Sequence, residues 1–269
     1  MKAVIYRKYG SPNVLELEDV KKPTPTDDEI LIAVRGEIPG YHGGFAEYVC
    51  TSGSTMAPKP ASMTFEEAAA IPQAGVIALQ GIHEKGRVQP GQKVLINGAG
   101  GGAGSFAVQL AKLHGAEVTG VDNSGKLDFM RSLGADHVID HTREDFTRSG
   151  NQYDLVLDVI AHRPVFAYKR ALMPNGTYFF VGGSVGVLLQ ILVLGPWISR
   201  TAGKNIRLLA IQQNRNDLMS ITAICETGKV LPMIDRRYSL SEVPEALRYV
   251  AEGRAKGKVV ITVAQSNQT

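Results

Sequence analysis

Two cysteines in 269 residues, Cys50 and Cys225, are too few for a disulfide scaffold, and neither lies in a CxxC pair or a Cys/His cluster. They read as buried thiols of a reducing compartment. The net charge is +3 with both signs interspersed, and no Lys/Arg run is interleaved with aromatic residues, which leaves no nucleic-acid footprint. The first residues, MKAVIYRKYG, have too short an apolar run for a secretory signal and alternate like a strand, so the expected location is cytoplasmic. Long hydrophobic runs are also missing. The most apolar segment, Val185 to Ile198, is interrupted by Gln190, Gly195 and Pro196 and is too short to span a bilayer, so no membrane partner is expected. Its plain reading is a buried helix; the alternatives are a subunit contact or a flap over an apolar pocket.

Glycine, in contrast, is concentrated. Lys93-Val-Leu-Ile-Asn97 reads as a short buried strand, and it is followed by Gly98-Ala-Gly-Gly-Gly-Ala-Gly104. Phe106, Leu110, Ala111 and Leu113 then recur at helical spacing up to Gly115, a natural stop. Glycine loses more backbone freedom on folding than any other residue, so a cluster between strand and helix needs a geometric reason. A dinucleotide-binding turn supplies one: a small residue for the tight bend, one for backbone approach to pyrophosphate, one for helix packing on strand. The fitting register is Ala99-x-Gly101-x-x-Gly104, with alanine in place of the first glycine. The helix opening near Gly102 would aim its N–H groups and positive dipole end at a diphosphate.

Asp122 ends the next strand, Glu117 to Val121, and lies 21 positions after Gly101, near the offset of about 20 residues for a carboxylate on the adenosine ribose. Taken alone it favours NAD, because it repels a 2′-phosphate; Lys126 and Arg131 nearby would attract one. The plain reading of Lys126 is a solvated helix residue. The competing uses of such a turn are packing alone and S-adenosylmethionine binding by a methyltransferase.

Strand and helix patterns alternate from Lys93 past Thr227, with further strands at His137 to Asp140, Leu155 to Val159, Tyr178 to Val181 and Ile206 to Ile211. This predicts an α/β fold with a doubly wound parallel sheet covered by helices on both faces. Residues 1–60 give only short strands (Ala3 to Tyr6, Val14 to Val20, Ile30 to Val34, Phe45 to Val49), and the tail returns to that style with Lys258 to Val263. The expected organisation is a small β-rich module from both termini, residues 1–63 and 232–269, with a dinucleotide-binding domain, residues 64–231, inserted between.

The segments "VLINGAGGGAGSFAVQLAKLHGAEVTGV", "RSLGADHVIDHTREDFT", "YDLVLDVIA", "NGTYFFVGG" and "LSEVPEALRYVAEGRAKGKVVITV" resemble the zinc-independent quinone oxidoreductase branch of the medium-chain dehydrogenase/reductase superfamily. The resemblance implies a GroES-like catalytic domain with a Rossmann domain, NADP or NAD as cofactor (many members prefer NADPH), and a homodimer. Between Val34 and Phe45, however, only "RGEIPGYHG" and Gly44 intervene. Against the family this is a loss of roughly 50 residues, or several strands of typical length, so the GroES-like domain is expected to be truncated. The missing part includes the segment that carries metal ligands in zinc-dependent relatives, and no metal site is expected.

Carried over position by position, the resemblance places Ala99, Gly101, Gly102, Ala103 and Gly104 along the pyrophosphate and Asp122, Asn123 and Lys126 around the adenosine ribose. His141 stands where relatives often have a tyrosine beside the nucleotide. Val159 and Ile160 would flank the ribose and nicotinamide, Gly182 and Gly183 would lie under the ring, and Lys258 resembles a position close to the cofactor. The implied reaction is hydride transfer to a quinone or to the β-carbon of an enone. No general acid is identified; Tyr41 and His42 in the short link read as surface residues, with proton delivery as their functional alternative. The other function class is a nucleotide-binding protein with little or no turnover, because the substrate domain is cut short.

Overall fold

The computed structural model describes residues 1–27, 29–34 and 44–263. Tyr41 and His42 lie outside the described residues. Contacts divide the chain into two compact units, Met1–Gln73 with Gln213–Thr227 and Pro232–Thr269, and Ala74–Gln212 with Gly228–Leu231.

The elements, in chain order, are β1 (Lys2–Ile5), β2 (Glu16–Asp19), β3 (Glu29–Ala33), β4 (Tyr48–Ser52), α1 (Phe65–Ala70), α2 (Pro72–Leu79), β5 (Lys93–Asn97), α3 (Gly102–Leu113), β6 (Glu117–Asp122), α4 (Leu127–Ser132), β7 (His137–Asp140), β8 (Tyr153–Asp158), α5 (Val165–Ala171), β9 (Leu172–Phe180), α6 (Val185–Ala202), β10 (Asn205–Leu208), α7 (Arg215–Glu226), β11 (Ile234–Ser239), α8 (Val243–Ala251) and β12 (Lys258–Thr262).

The first unit is built on three two-stranded sheets: antiparallel β1–β2 and β3–β4, and parallel β11–β12. β3 and β4 pair directly, with Glu29 opposite Ser52 and Ala33 opposite Tyr48. Ala3 bridges Ala46, and the Val4 amide donates to the Phe45 carbonyl at 2.8 Å, which ties β1 to the run into β4. The strand expected from Val14 is shorter than its sequence pattern, because Pro12 opens a 3-10 turn over Pro12–Val14 and pairing begins only at Glu16. Residues 64–73 and 213–227, placed with the dinucleotide-binding segment by sequence, group with this unit. Arg237 Nε donates to Glu66 on α1, and Ser62 donates to Glu226 on α7 at 2.9 Å.

The second unit carries a six-stranded sheet, order β10-β9-β8-β5-β6-β7, every pair parallel. This is the Rossmann-type sheet that the alternation predicted. Its central strands read as continuous apolar runs because both faces are covered: Val94, Leu95, Ile96, Val118, Val121, Val156 and Leu157 are all fully buried. After β5 the chain goes first to β6 and β7 on one side and then to β8, β9 and β10 on the other. The C-terminal end of β5 is therefore the topological switch point, where open α/β sheets bind ligands.

α6 departs from expectation. Gln190, Gly195 and Pro196 do not break it: the helix runs 18 residues with Pro196 inside, capped at Ser184, whose side chain accepts from the Val187 amide, and closed by Gly203 at φ +60°. Gln190 is used sideways, its Oε1 accepting from the Val165 amide that opens α5. Nor is the helix buried all round, since Val185, Leu189, Leu192, Val193 and Trp197 are exposed.

Candidate functional site

The glycine bend sits on the C-terminal end of β5. Gly98, at φ +86°, turns the chain in a left-handed conformation that residues with a side chain rarely adopt, and its amide and that of Ala99 donate to the Val121 carbonyl at 2.9 and 3.1 Å. The Gly101 amide closes the bend on the Gly98 carbonyl at 3.0 Å, and Gly101 is the N-cap of α3. Having no side chain, this cap offers the first turn no side-chain acceptor, and its carbonyl takes the Ser105 amide at 2.9 Å. The amides of Gly102, Ala103 and Gly104 also lack the preceding carbonyls that later helix residues use. Gly104 is where helix meets bend: a Cβ there would lie 2.0 Å from the Gly98 oxygen and 2.6 Å from Ala99 Cα. The bend itself thus falls at Gly98, one residue before the Ala99-x-Gly101-x-x-Gly104 register, while Gly104 occupies the close helix-to-strand approach. The result is a cluster of amides at the positive end of a 12-residue helix.

Asp122 ends β6 beside this bend and is buried. Its Oδ2 accepts from the Gly100 amide at 3.0 Å and its Oδ1 from the Asn123 amide at 2.9 Å, while Lys126 Nζ stands 3.3 Å from Oδ1. Both side chains of the pair are 7% exposed. Lys126 is therefore not the solvated helix residue its sequence position suggests: it folds back over Gly100, whose missing Cβ leaves room for its methylenes. Asn123 caps the following 3-10 turn, accepting from the Gly125 amide at 3.1 Å. His141 is half-buried, with its amide donating to the Asp122 carbonyl at 3.0 Å.

Across the switch point, the Val159 amide donates to the Asn97 carbonyl at 3.0 Å, which brings Val159 and Ile160 against Gly98. Gly182 and Gly183 lie alongside, joined by the Ala161 amide to the Gly182 carbonyl at 2.8 Å and the Ser184 amide to the Ala161 carbonyl at 2.8 Å. The structure thus gathers Ala99 to Gly104, Asp122, Asn123, Lys126, His141, Val159, Ile160, Gly182 and Gly183 at the C-terminal ends of neighbouring strands. Lys258 belongs to the other unit, at the start of β12, where its amide donates to the Met233 carbonyl.

One cluster escaped sequence reasoning. Asp158, at the end of β8 and fully buried, accepts from Asn97 Nδ2 at 2.7 Å and the Ile160 amide at 3.2 Å through Oδ1, and from the Tyr178 hydroxyl at 3.0 Å through Oδ2. Tyr178 stacks on Tyr168 with ring centroids 4.3 Å apart, and the Tyr168 hydroxyl accepts from the His162 and Arg163 amides at 3.1 and 3.0 Å. Burial pushes the Asp158 carboxyl above the ordinary carboxylate range, against the lowering effect of its donors. The group holds the 159–163 loop in place. Its sequence signal is faint: a lone Asn and a lone Asp, 61 residues apart, made partners only by strand register.

Among the described residues no group of three His, Cys, Asp or Glu is placed to hold a metal ion.

Comparison with known proteins adds an independent line. A family model described as zinc-binding dehydrogenase matches residues 133–261. The chain is 35% identical over 229 residues to the 2-methylene-furan-3-one reductase of Solanum lycopersicum, covering 83% of this chain and 53% of that protein. It is 30% identical over 253 residues to the chloroplastic quinone-oxidoreductase QR1 of Triphysaria versicolor, covering 91% of this chain and 75% of that one. The chain thus spans about half to three quarters of the length of these relatives. The quinone oxidoreductase structure from Coxiella burnetii superposes with a TM-score of 0.88 at 24% identity, over 98% of this chain and 99% of that one, which shows the shared fold.

Proposed function

The chain belongs to the quinone and NAD(P)H oxidoreductases of the medium-chain dehydrogenase/reductase superfamily, and from that premise we propose that it reduces a quinone or the C=C of an α,β-unsaturated carbonyl with NADPH or NADH, without zinc. The observation that carries the reading is the glycine bend: amides of Gly102, Ala103 and Gly104 stand at a helix N-terminus on the switch point, where a diphosphate would fit. When bound, the nicotinamide supplies the hydride.

The chain's own residues bind and orient. The first-turn amides of α3 would hold the pyrophosphate. Asp122 and Lys126 would meet the adenosine ribose as a neutralised pair, with Asn123 and His141 beside it. Val159, held by the Asn97 carbonyl, and Ile160, held by Asp158, would flank the nicotinamide, and Gly182 and Gly183 would lie beside its ring. Negative charge developing on the acceptor oxygen needs donors aimed at it and then a proton. No catalytic acid is assigned.

Purified protein is expected to oxidise NADPH or NADH in the presence of 9,10-phenanthrenequinone or a simple enone. One observation favours a second reading: only residues 35–44 separate Val34 from Phe45, where the family carries a longer barrel segment. Tight nucleotide binding with no acceptor-dependent oxidation across a broad panel supports that alternative, a nucleotide-binding protein with little turnover.

Cofactor choice is tested at Asp122. In Asp122→Ser, Lys126 loses its partner and is free to meet a 2′-phosphate. The ratio of NADH to NADPH dissociation constants is expected to rise about tenfold, the equivalent of about 1.4 kcal/mol. An unchanged ratio removes Asp122 from the discrimination.

A further inference from the structure

The outer face of α6 is unused by the fold and by the nucleotide site. Its inner face is committed: Val187, Ile191, Gly195 and Ile198 are buried in the core that includes Tyr178, Phe180 and Ile206. A Cβ on Gly195 would lie 2.7 Å from the Ile206 carbonyl oxygen, so helix and strand β10 are in close contact. The opposite face is equally apolar. Val185 is 70% exposed, Leu189 57%, Leu192 55%, Val193 73% and Trp197 53%, at spacings of three and four residues that stack them in one stripe. A helix apolar on both faces belongs inside a core or against lipid, and α6 has only one face in a core.

Charge identifies the occupant. From Val159 to Gln212 the sequence contains no Asp or Glu, while six residues are Lys or Arg. Arg163 is paired, its Nε 2.8 Å from Asp145. The other five collect at the C-terminal end of α6. Arg200 lies in its last turn; Lys204 Nζ donates to the Lys169 carbonyl at 2.9 Å, which brings the end of α5 and Arg170 alongside; Arg207 follows on the edge strand β10. Arg170, Arg200 and Arg207 are exposed. An apolar stripe with Trp197 toward its cationic end is the pattern of a helix lying in a bilayer interface.

We propose that α6 is a docking surface for an anionic lipid bilayer, entered tangentially: the stripe reaches the headgroup boundary and the basic cluster meets lipid phosphates. Spanning is excluded, because the inner face is part of the sheet's own core. A second copy of the chain fits less well. A two-fold contact centred on β10 and the end of α6 would set the basic cluster against itself, with no carboxylate in the stretch to offset it. The inference does not depend on the cofactor reading.

Trp197 is the only tryptophan, so the helix carries its own reporter. The full chain is mixed with vesicles of equal parts phosphatidylcholine and phosphatidylglycerol, and in parallel with phosphatidylcholine alone. Expected are flotation with the anionic vesicles, a blue shift of Trp197 emission, and partitioning that falls about tenfold or more on raising salt. The double variant Leu189→Asp with Val193→Asp alters two exposed positions and is expected to keep the wild-type melting temperature while losing about tenfold or more in partitioning. No flotation with anionic vesicles overturns the proposal, as does undiminished binding by the double variant. A wild-type dimer that the double variant converts to monomer, with no vesicle binding by either, assigns the face to a second copy instead.

Discussion

Gly104→Ala is expected to disable the nucleotide site and loosen the unit that carries it. The added methyl would sit 2.0 Å from the Gly98 oxygen, 2.6 Å from Ala99 Cα and 2.8 Å from Ala99 C, all backbone atoms of the bend itself. No rotamer relieves such a clash, so α3 must retreat from β5 or the bend must open. Overpacking of this kind costs about 3 kcal/mol. The amides proposed to hold the diphosphate move with the helix, and dinucleotide affinity is expected to fall about 100-fold or more, since each 1.4 kcal/mol of lost interaction is about tenfold. Gly186→Ala, in the same unit, is the control: a Cβ there meets nothing within 4 Å, and alanine in a helix is expected to be neutral or to stabilise by about 0.5–1 kcal/mol. Thermal melts and nucleotide titrations of the two variants measure the contrast.

The second large effect is expected at Asp158. Asp158→Ala leaves Asn97 Nδ2, the Ile160 amide and the Tyr178 hydroxyl without their buried acceptor. Orphaned buried donors cost about 1–3 kcal/mol each, and partial rearrangement brings the expected total to about 3–5 kcal/mol. Asp158→Asn keeps an acceptor for Asn97 and Ile160 and offers Tyr178 a donor in exchange, so most of that loss is expected to be recovered.

The pair of variants also has a pH signature. Because burial holds the Asp158 carboxyl above its ordinary range, the folded chain binds this proton more tightly than the unfolded chain does. The contribution of Asp158 to stability is therefore full below the unfolded carboxylate pKa and is lost as pH rises through the folded one. Asp158→Asn removes that slope. The melting temperature of Asp158→Asn relative to wild type is expected to rise as pH increases across a series. A constant offset instead means that Asp158 does not titrate differently on folding.

These residues show where sequence reasoning stops. The Rossmann-type sheet was legible because its central strands, covered on both faces, must be apolar throughout, and because Gly98 to Gly104 interrupts that pattern where a chain must bend sharply. Asn97 and Asp158 were not legible, since nothing local distinguishes them from ordinary strand-end polar residues; they become one network only when β5 and β8 align them. Lys126 failed for a related reason. A lysine early in a helix reads as solvated, and only the glycine beneath it lets the side chain fold inward onto Asp122. For α6, composition identified an apolar segment but not its faces: a pattern hydrophobic all round has no periodic signal to say which side meets the sheet. Gln190 and Pro196 looked like interruptions because their cost is local. The compensation lies in the cap on α5 and the packing of the helix on β10.

The proposed hydride transfer requires a diphosphate lying against the first-turn amides of α3. Calorimetric titration of NADPH and NADH into the wild-type chain and Gly101→Val tests it most directly, because a Cβ on Gly101 meets only the Gly98 oxygen, at 3.3 Å, and the variant's melt reports separately on folding. The predicted result is that wild type binds at least one of the two nucleotides, and that Gly101→Val, melting as a folded protein, binds it about tenfold or more weakly. A wild-type chain that takes up neither nucleotide, or a folded variant that binds as tightly as wild type, contradicts it.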